Sequence, residues 1–140
     1  MCMASPDIEV TTLDNLARLD RKDVDFAPVI KALLRLDGPK ACKVIEDRCD
    51  DFFIRTNSRR AIATMGKDYE VAIQPMLASD NRNVRELACD ILSDIGTAAS
   101  IPLIEAAVAR IANAAEQRNF KRKADATIAK IKLRQPSPTP

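Results

Sequence analysis

Three glycines constrain this chain more than any other feature. Gly38, Gly66 and Gly96 are the only glycines in 140 residues, they lie 28 and 30 residues apart, and each follows an apolar segment. A fixed interval of that size marks a repeat of one supersecondary unit. Before the glycines stand Leu33-Leu34-Arg35-Leu36-Asp37, Ala61-Ile62-Ala63-Thr64-Met65 and Ile91-Leu92-Ser93-Asp94-Ile95. After them come Pro39-Lys40-Ala41, Lys67-Asp68-Tyr69 and Thr97-Ala98-Ala99. Each Gly is expected to act as the left-handed C-terminal cap of one helix, with the next helix beginning just beyond it. The repeated unit is then a helical hairpin.

Apolar residues recur at intervals of three and four: Leu13, Leu16, Ala17; Val29, Leu33, Leu36; Ala41, Val44, Ile45. That period is helical, and β-branched runs of alternating polarity are hard to find. The spacing predicts helices near 11–19, 24–36, 39–51, 57–65, 68–78, 81–95, 98–113 and 115–134. Helix starts are expected at Asp25, at Asn57 or Ser58, and at Asp80 or Asn83. Asn83-Val84-Arg85-Glu86 has the spacing of a reciprocal capping box. Pro75 falls too deep in its helix for a first-turn proline, which predicts a kink or a late helix start. Residues 1–10 read as an N-terminal tail, 11–134 as a single domain and 135–140 as a proline-rich C-terminal tail.

From Asp80 to Ala107 the pattern is specific. Asp80, Val84, Arg85, Ala88, Leu92, Ile95 and Gly96, followed by Ile101, Pro102 and Ile104, resembles a HEAT-like repeat of the short bacterial type found in bilin-lyase-like proteins. The middle unit departs from it, with a shorter first helix and Pro75 nine residues after its glycine, where Pro102 follows Gly96 by six. The resemblance implies an all-α fold: a right-handed α-α superhelix, or solenoid, of about three stacked hairpins with capping helices at both ends. It also implies a concave surface lined by the second helices, the geometry of a scaffold or docking module.

Enzymatic chemistry finds little footing. The chain contains no His, which removes the commonest general base and metal ligand together. The glycines are too far apart for a phosphate-cradling loop. Cys2, Cys42, Cys49 and Cys89 show no closely paired spacing for zinc. Cys42 and Cys49 are two helical turns apart, about 11 Å, beyond disulfide reach. Val84, Ala88, Ile91, Leu92 and Ile95 form one apolar stripe, and Cys89 beside it is placed at a half-exposed position. Glu46, Asp47, Asp50 and Asp51 can be arranged for a hard cation, but Lys43 and Arg48 among them point to a solvated helix face ending at Asp50 or Asp51. No catalytic, cofactor or metal residue is assigned, and the chain is expected not to be an enzyme. With 46% apolar residues but no run of membrane-spanning length and no signal peptide, it is expected in the cytoplasm, without a membrane partner.

Charge is the remaining signal. The formal net charge is +2, yet over residues 118–134 Arg118, Lys121, Arg122, Lys123, Lys130, Lys132 and Arg134 stand against Asp125 alone, a local charge of +6. The rest of the chain, with 15 basic and 19 acidic residues, carries −4. Arg55, Arg59 and Arg60 form a smaller basic group. Phe120, Ala124, Thr127, Ile128 and Ile131 fall within about 100° of one another on a helix, so this face is expected to dock and the basic residues to spread over the remainder. The expected function is a noncatalytic HEAT-like scaffold or adaptor that meets another protein with an acidic surface, through the basic last helix. The alternative is nucleic-acid binding by the same helix together with Arg55, Arg59 and Arg60.

Overall fold

The computed structural model describes residues 27–134, and every regular element among them is helical. The expected helix at 11–19, the Asp25 start, Cys2 and both tails lie outside the described residues. The chain divides into two compact units, one ending at Met65 and the other beginning at Gly66.

In the first unit, α1 (Ala27–Leu36) buries Ala27, Ile30, Leu33 and Leu34, a stripe at helical spacing. Its packing partners are α2 (Gly38–Asp47) and α3 (Phe52–Met65). The α1–α2 joint does not use a left-handed glycine. Asp37 turns the chain with an extended φ of −156°, and its carboxylate accepts a hydrogen bond from the Lys40 amide at 3.1 Å. Gly38 is the first residue of α2, with Pro39 beside it in the first turn, where a missing N–H costs nothing. The expected C-terminal glycine cap is thus replaced by a side-chain cap from Asp37 on the start of the next helix.

The second joint is also displaced from expectation. α2 ends at Asp47, and α3 starts at Phe52, five residues before the expected 57. The Asp51 carboxylate accepts from the amides of Phe53 at 2.9 Å and Ile54 at 3.4 Å. Asp51 therefore opens a helix where the sequence had it closing one, and Asn57 and Ser58 lie inside α3. Its buried residues Ile54, Ser58, Ala61 and Ile62 again follow helical spacing.

In the second unit Gly66 has φ +85° and is the only described residue with positive φ. The segment after it is not one helix. A 3-10 turn over Lys67–Tyr69 leads into the short α4 (Glu70–Ile73) and a second 3-10 stretch over Gln74–Ala78. Pro75 sits at the start of that stretch, so the expected kink takes the form of a change of helix type. The buried Glu70 carboxylate accepts from the Thr97 amide at 2.7 Å and the Thr97 hydroxyl at 3.0 Å, and from the Ser100 hydroxyl. These bonds tie α4 to the next joint without any basic partner.

α5 (Arg82–Ile95) is capped by Asn81, whose side chain accepts from the Asn83 amide at 2.8 Å. The expected cap at Asn83 is thereby moved two residues back. The anticipated stripe of Val84, Ala88, Ile91, Leu92 and Ile95 is buried, and so are Leu87, Cys89, Arg85 and Ser93. α5 is consequently enclosed on most of its circumference. After a 3-10 turn at Ala98–Ser100, α6 (Ile101–Ala109) begins with Pro102 in its first turn, as the sequence indicates. α7 (Ala114–Arg134) packs on both α5 and α6. Its buried residues Phe120, Ala124, Thr127 and Ile131 are four of the five anticipated, and Ile128 is half-buried. Burial of Phe120 alone is worth about 2–3 kcal/mol.

Gly96 has φ −66° and ψ 152°, which any residue can adopt, so it is not the left-handed cap expected. Its constraint is space. A Cβ there would lie 2.5 Å from the Leu92 carbonyl oxygen and 3.1 Å from Cδ1 of Ile131 on α7. Gly66 has the opposite character, with open space around an added Cβ but a backbone conformation that side chains resist. Gly96→Ala and Gly66→Ala are each expected to lower stability by about 1–3 kcal/mol in urea melts. Only the Gly96 change should be partly rescued by shortening Ile131 to Val; equal rescue of both would refute the distinction.

Candidate functional site

The basic residues of α7 separate into two groups. Lys123 is spent inside the fold, pairing with Asp90 of α5 at 2.6 Å. Arg134 donates to the carbonyl oxygens of Gly96 at 2.8 Å and Leu92 at 3.2 Å, and to that of Ser93. These carbonyls end α5, so the guanidinium serves as a cationic cap where the helix dipole is negative. Lys121 pairs with Asp125 one turn on at 2.8 Å, a contact whose partners are each 60% exposed and which therefore contributes little. Arg118, Arg122, Lys130 and Lys132 are left as exposed charges. At 100° per residue Arg118, Arg122 and Lys132 share one outward stripe about 80° wide, turned away from Phe120 and Ala124. Leu133 is 85% exposed near that stripe.

The smaller basic group belongs to the other unit. Arg55 is half-buried and its guanidinium donates to the Cys49 carbonyl at 2.7 Å, Arg59 is half-buried, and Arg60 is exposed. Arg55 thus closes the turn between α2 and α3. In the acidic cluster, Lys43 pairs with Asp47 at 3.2 Å and Arg48 with Asp51 at 3.6 Å. Burial pushes the Glu46 carboxyl above its usual range, opposed by the nearby Lys43 charge. Among the described residues no group of three or more Cys, Asp or Glu is placed to hold a metal ion. No described helix is long and apolar enough to cross a membrane.

A second feature was not singled out from the sequence. Arg85, on the α5 face that the stripe leaves polar, is 6% exposed and its guanidinium lies 5.6 Å from the centre of the Phe120 ring. It donates to the carbonyl oxygens of Ser79 at 3.1 Å and Asp80 at 3.0 Å, and pairs with Glu116 in the first turn of α7. Its Nε is buried without a hydrogen-bond partner. Arg85 lines a cleft of about 430 Å³, with Leu77, Ala107, Arg110 and Glu116 among its walls. The available signal was an arginine one residue from the stripe's Val84, and a glutamate three residues after Asn113. Neither reveals that the two meet across 31 residues.

No protein-family model matches the chain, no curated protein matches it, and no solved structure matches it.

Cys89 is fully buried, against the expectation of half exposure, because α7 covers that side of α5. Burial pushes the thiols of Cys42 and Cys89 up to about 12 from an ordinary 9.0. Only the thiolate is a strong nucleophile, so both thiols are inert at neutral pH. Labelling of Cys42 and Cys89 by an aromatic disulfide reagent should therefore be slow in the native protein and complete within mixing in denaturant. Its rate should track denaturant concentration more steeply than pH between about 7 and 9. Rapid native labelling of either residue, located by mass spectrometry, would overturn this account.

Proposed function

We propose that this chain is a noncatalytic interaction module, a HEAT-like stack of helical hairpins whose outward α7 stripe meets an acidic segment of another protein. One observation carries the reading: Arg118, Arg122 and Lys132 remain exposed and aligned on one face, while Lys123 and Arg134 are consumed by the fold. A helix that needed positive charge only for internal pairing would not require the outer stripe. The all-helical joints, the interval between the glycines and the enclosed α5 support the stacked-hairpin reading. The absence of His and the inert thiols support the noncatalytic one.

The experiment is charge reversal at Arg118, Arg122, Lys130 and Lys132 to Glu. These side chains lie outside the core, so helicity and melting temperature should change little. Binding of labelled poly-glutamate at low salt should fall by about tenfold or more, and the wild-type affinity should itself decline as salt is raised. Unchanged binding by a folded variant would refute the proposed surface. Wild-type preference for a random DNA duplex over poly-glutamate at matched salt would replace the protein partner with nucleic acid.

A further inference from the structure

The cleft beside Arg85 is distinct from the α7 stripe and has a different chemistry. One wall is apolar, formed by Leu77 and Ala78 from the 3-10 stretch, by Ala107 of α6 and by Ile111 just beyond it. The other is ionic, with Arg85 and Arg110 beside Asp80 and Glu116. A smaller cavity of about 100 Å³ adjoins it, sharing Leu77, Ala78, Ala107 and Arg110, and continues along α6 past Ala106 to the 42% exposed Leu103. Leu103, Ala106, Ala107 and Arg110 recur at three, one and three, so the two cavities form one groove along a single helical face. It is apolar near Leu103 and ionic at the Arg110 end, where Arg110 is the exposed cation.

At the cationic end the fold already contains one carboxylate in place. Glu116 occupies Arg85, but the two partners are unequally held. The Arg85 side chain is 7% exposed, fixed by two carbonyls and stacked near Phe120, whereas the Glu116 side chain is 38% exposed. Arg85 is therefore a rigid, buried donor and Glu116 a movable acceptor. Removing Glu116 would leave the guanidinium charge buried beside a cleft open to solvent, with the exposed Arg110 on the same wall. Such a site favours a carboxylate brought from outside, since a guanidinium fork binds carboxylates in a defined geometry.

We infer that this groove receives an acidic peptide segment of a partner protein, in which an aliphatic side chain fills the Leu77–Leu103 end and a following carboxylate displaces Glu116 from Arg85. Glu116 acts as an intramolecular competitor that holds Arg85 in shape while the groove is empty. The inference shares with the proposed function only the acidity of the partner; the surface is a separate one.

The probe is a fluorescein-labelled peptide of serines carrying one leucine followed by two glutamates, and the same peptide with glutamines, followed by fluorescence anisotropy. Glu116→Gln should bind the glutamate peptide about threefold or more tighter than wild type, because the competitor has lost its charge. Arg110→Gln should bind it severalfold more weakly, and the glutamine peptide should bind weakly to all forms. Arg110 is exposed, so that variant is expected to fold as wild type, and thermal melts check both proteins. A folded Glu116→Gln protein that binds no tighter than wild type would overturn the inference, as would an affinity indifferent to Arg110. Reversal of Arg118, Arg122, Lys130 and Lys132 should leave the preference of Glu116→Gln over its own parent intact. If that reversal instead abolishes peptide binding, the α7 stripe is the site and the groove is not.

Discussion

Enclosure of α5 sets the terms for the second unit. A helix buried on most sides must have its side-chain polar groups and its terminal carbonyls answered by neighbours, since an unanswered buried group costs on the order of 1–3 kcal/mol. α7 supplies most of those answers. Lys123 meets Asp90, Glu116 meets Arg85, Thr127 donates to the Cys89 carbonyl at 3.3 Å, and Arg134 covers the last carbonyls. The small residue Gly96 allows this closeness, and Ile131 fills the space beside it. α7 is thus fixed in register by polar contacts at its beginning, middle and end.

That demand explains the division of charge along α7. Seven basic residues look equivalent in the sequence, but Lys123 pairs with Asp90 of α5 and Arg134 donates to the carbonyls at its end. What remains for a partner is narrower and more ordered than a basic tail. It is a stripe on a helix that cannot rotate, because the opposite face is locked. The groove along α6 owes its geometry to the same contacts, since Arg85 reaches its wall only by being held between the Ser79–Asp80 turn and the first turn of α7.

Helical class, the buried face of α7 and the α5 stripe were legible in the sequence because each depends on a period of apolar residues. The joints were legible as places but not as mechanisms. Gly38, Gly66 and Gly96 recur at one interval, yet the first begins a helix, the second provides positive φ, and the third makes room for Ile131. A glycine's identity does not disclose which of its freedoms is used. Asp37 and Asp51 were hidden for a related reason, as a carboxylate between two helical segments can close one or open the next. The cleft was out of reach altogether, because the Arg85–Glu116 pair is nonlocal and each residue alone looks like ordinary helix surface.

The Arg134 contacts also bear on how the chain is made. They join residues about 40 apart in sequence, the Ser93 contact spanning 41 positions. At about 5–20 residues per second, a ribosome finishes α5 roughly two to eight seconds before the arginine that closes it exists. Until then the carbonyls of Leu92, Ser93 and Gly96 lack the donor that covers them in the folded unit. Completion of the second unit therefore waits on its last helix, and its closing contacts are among those that span the greatest sequence distance.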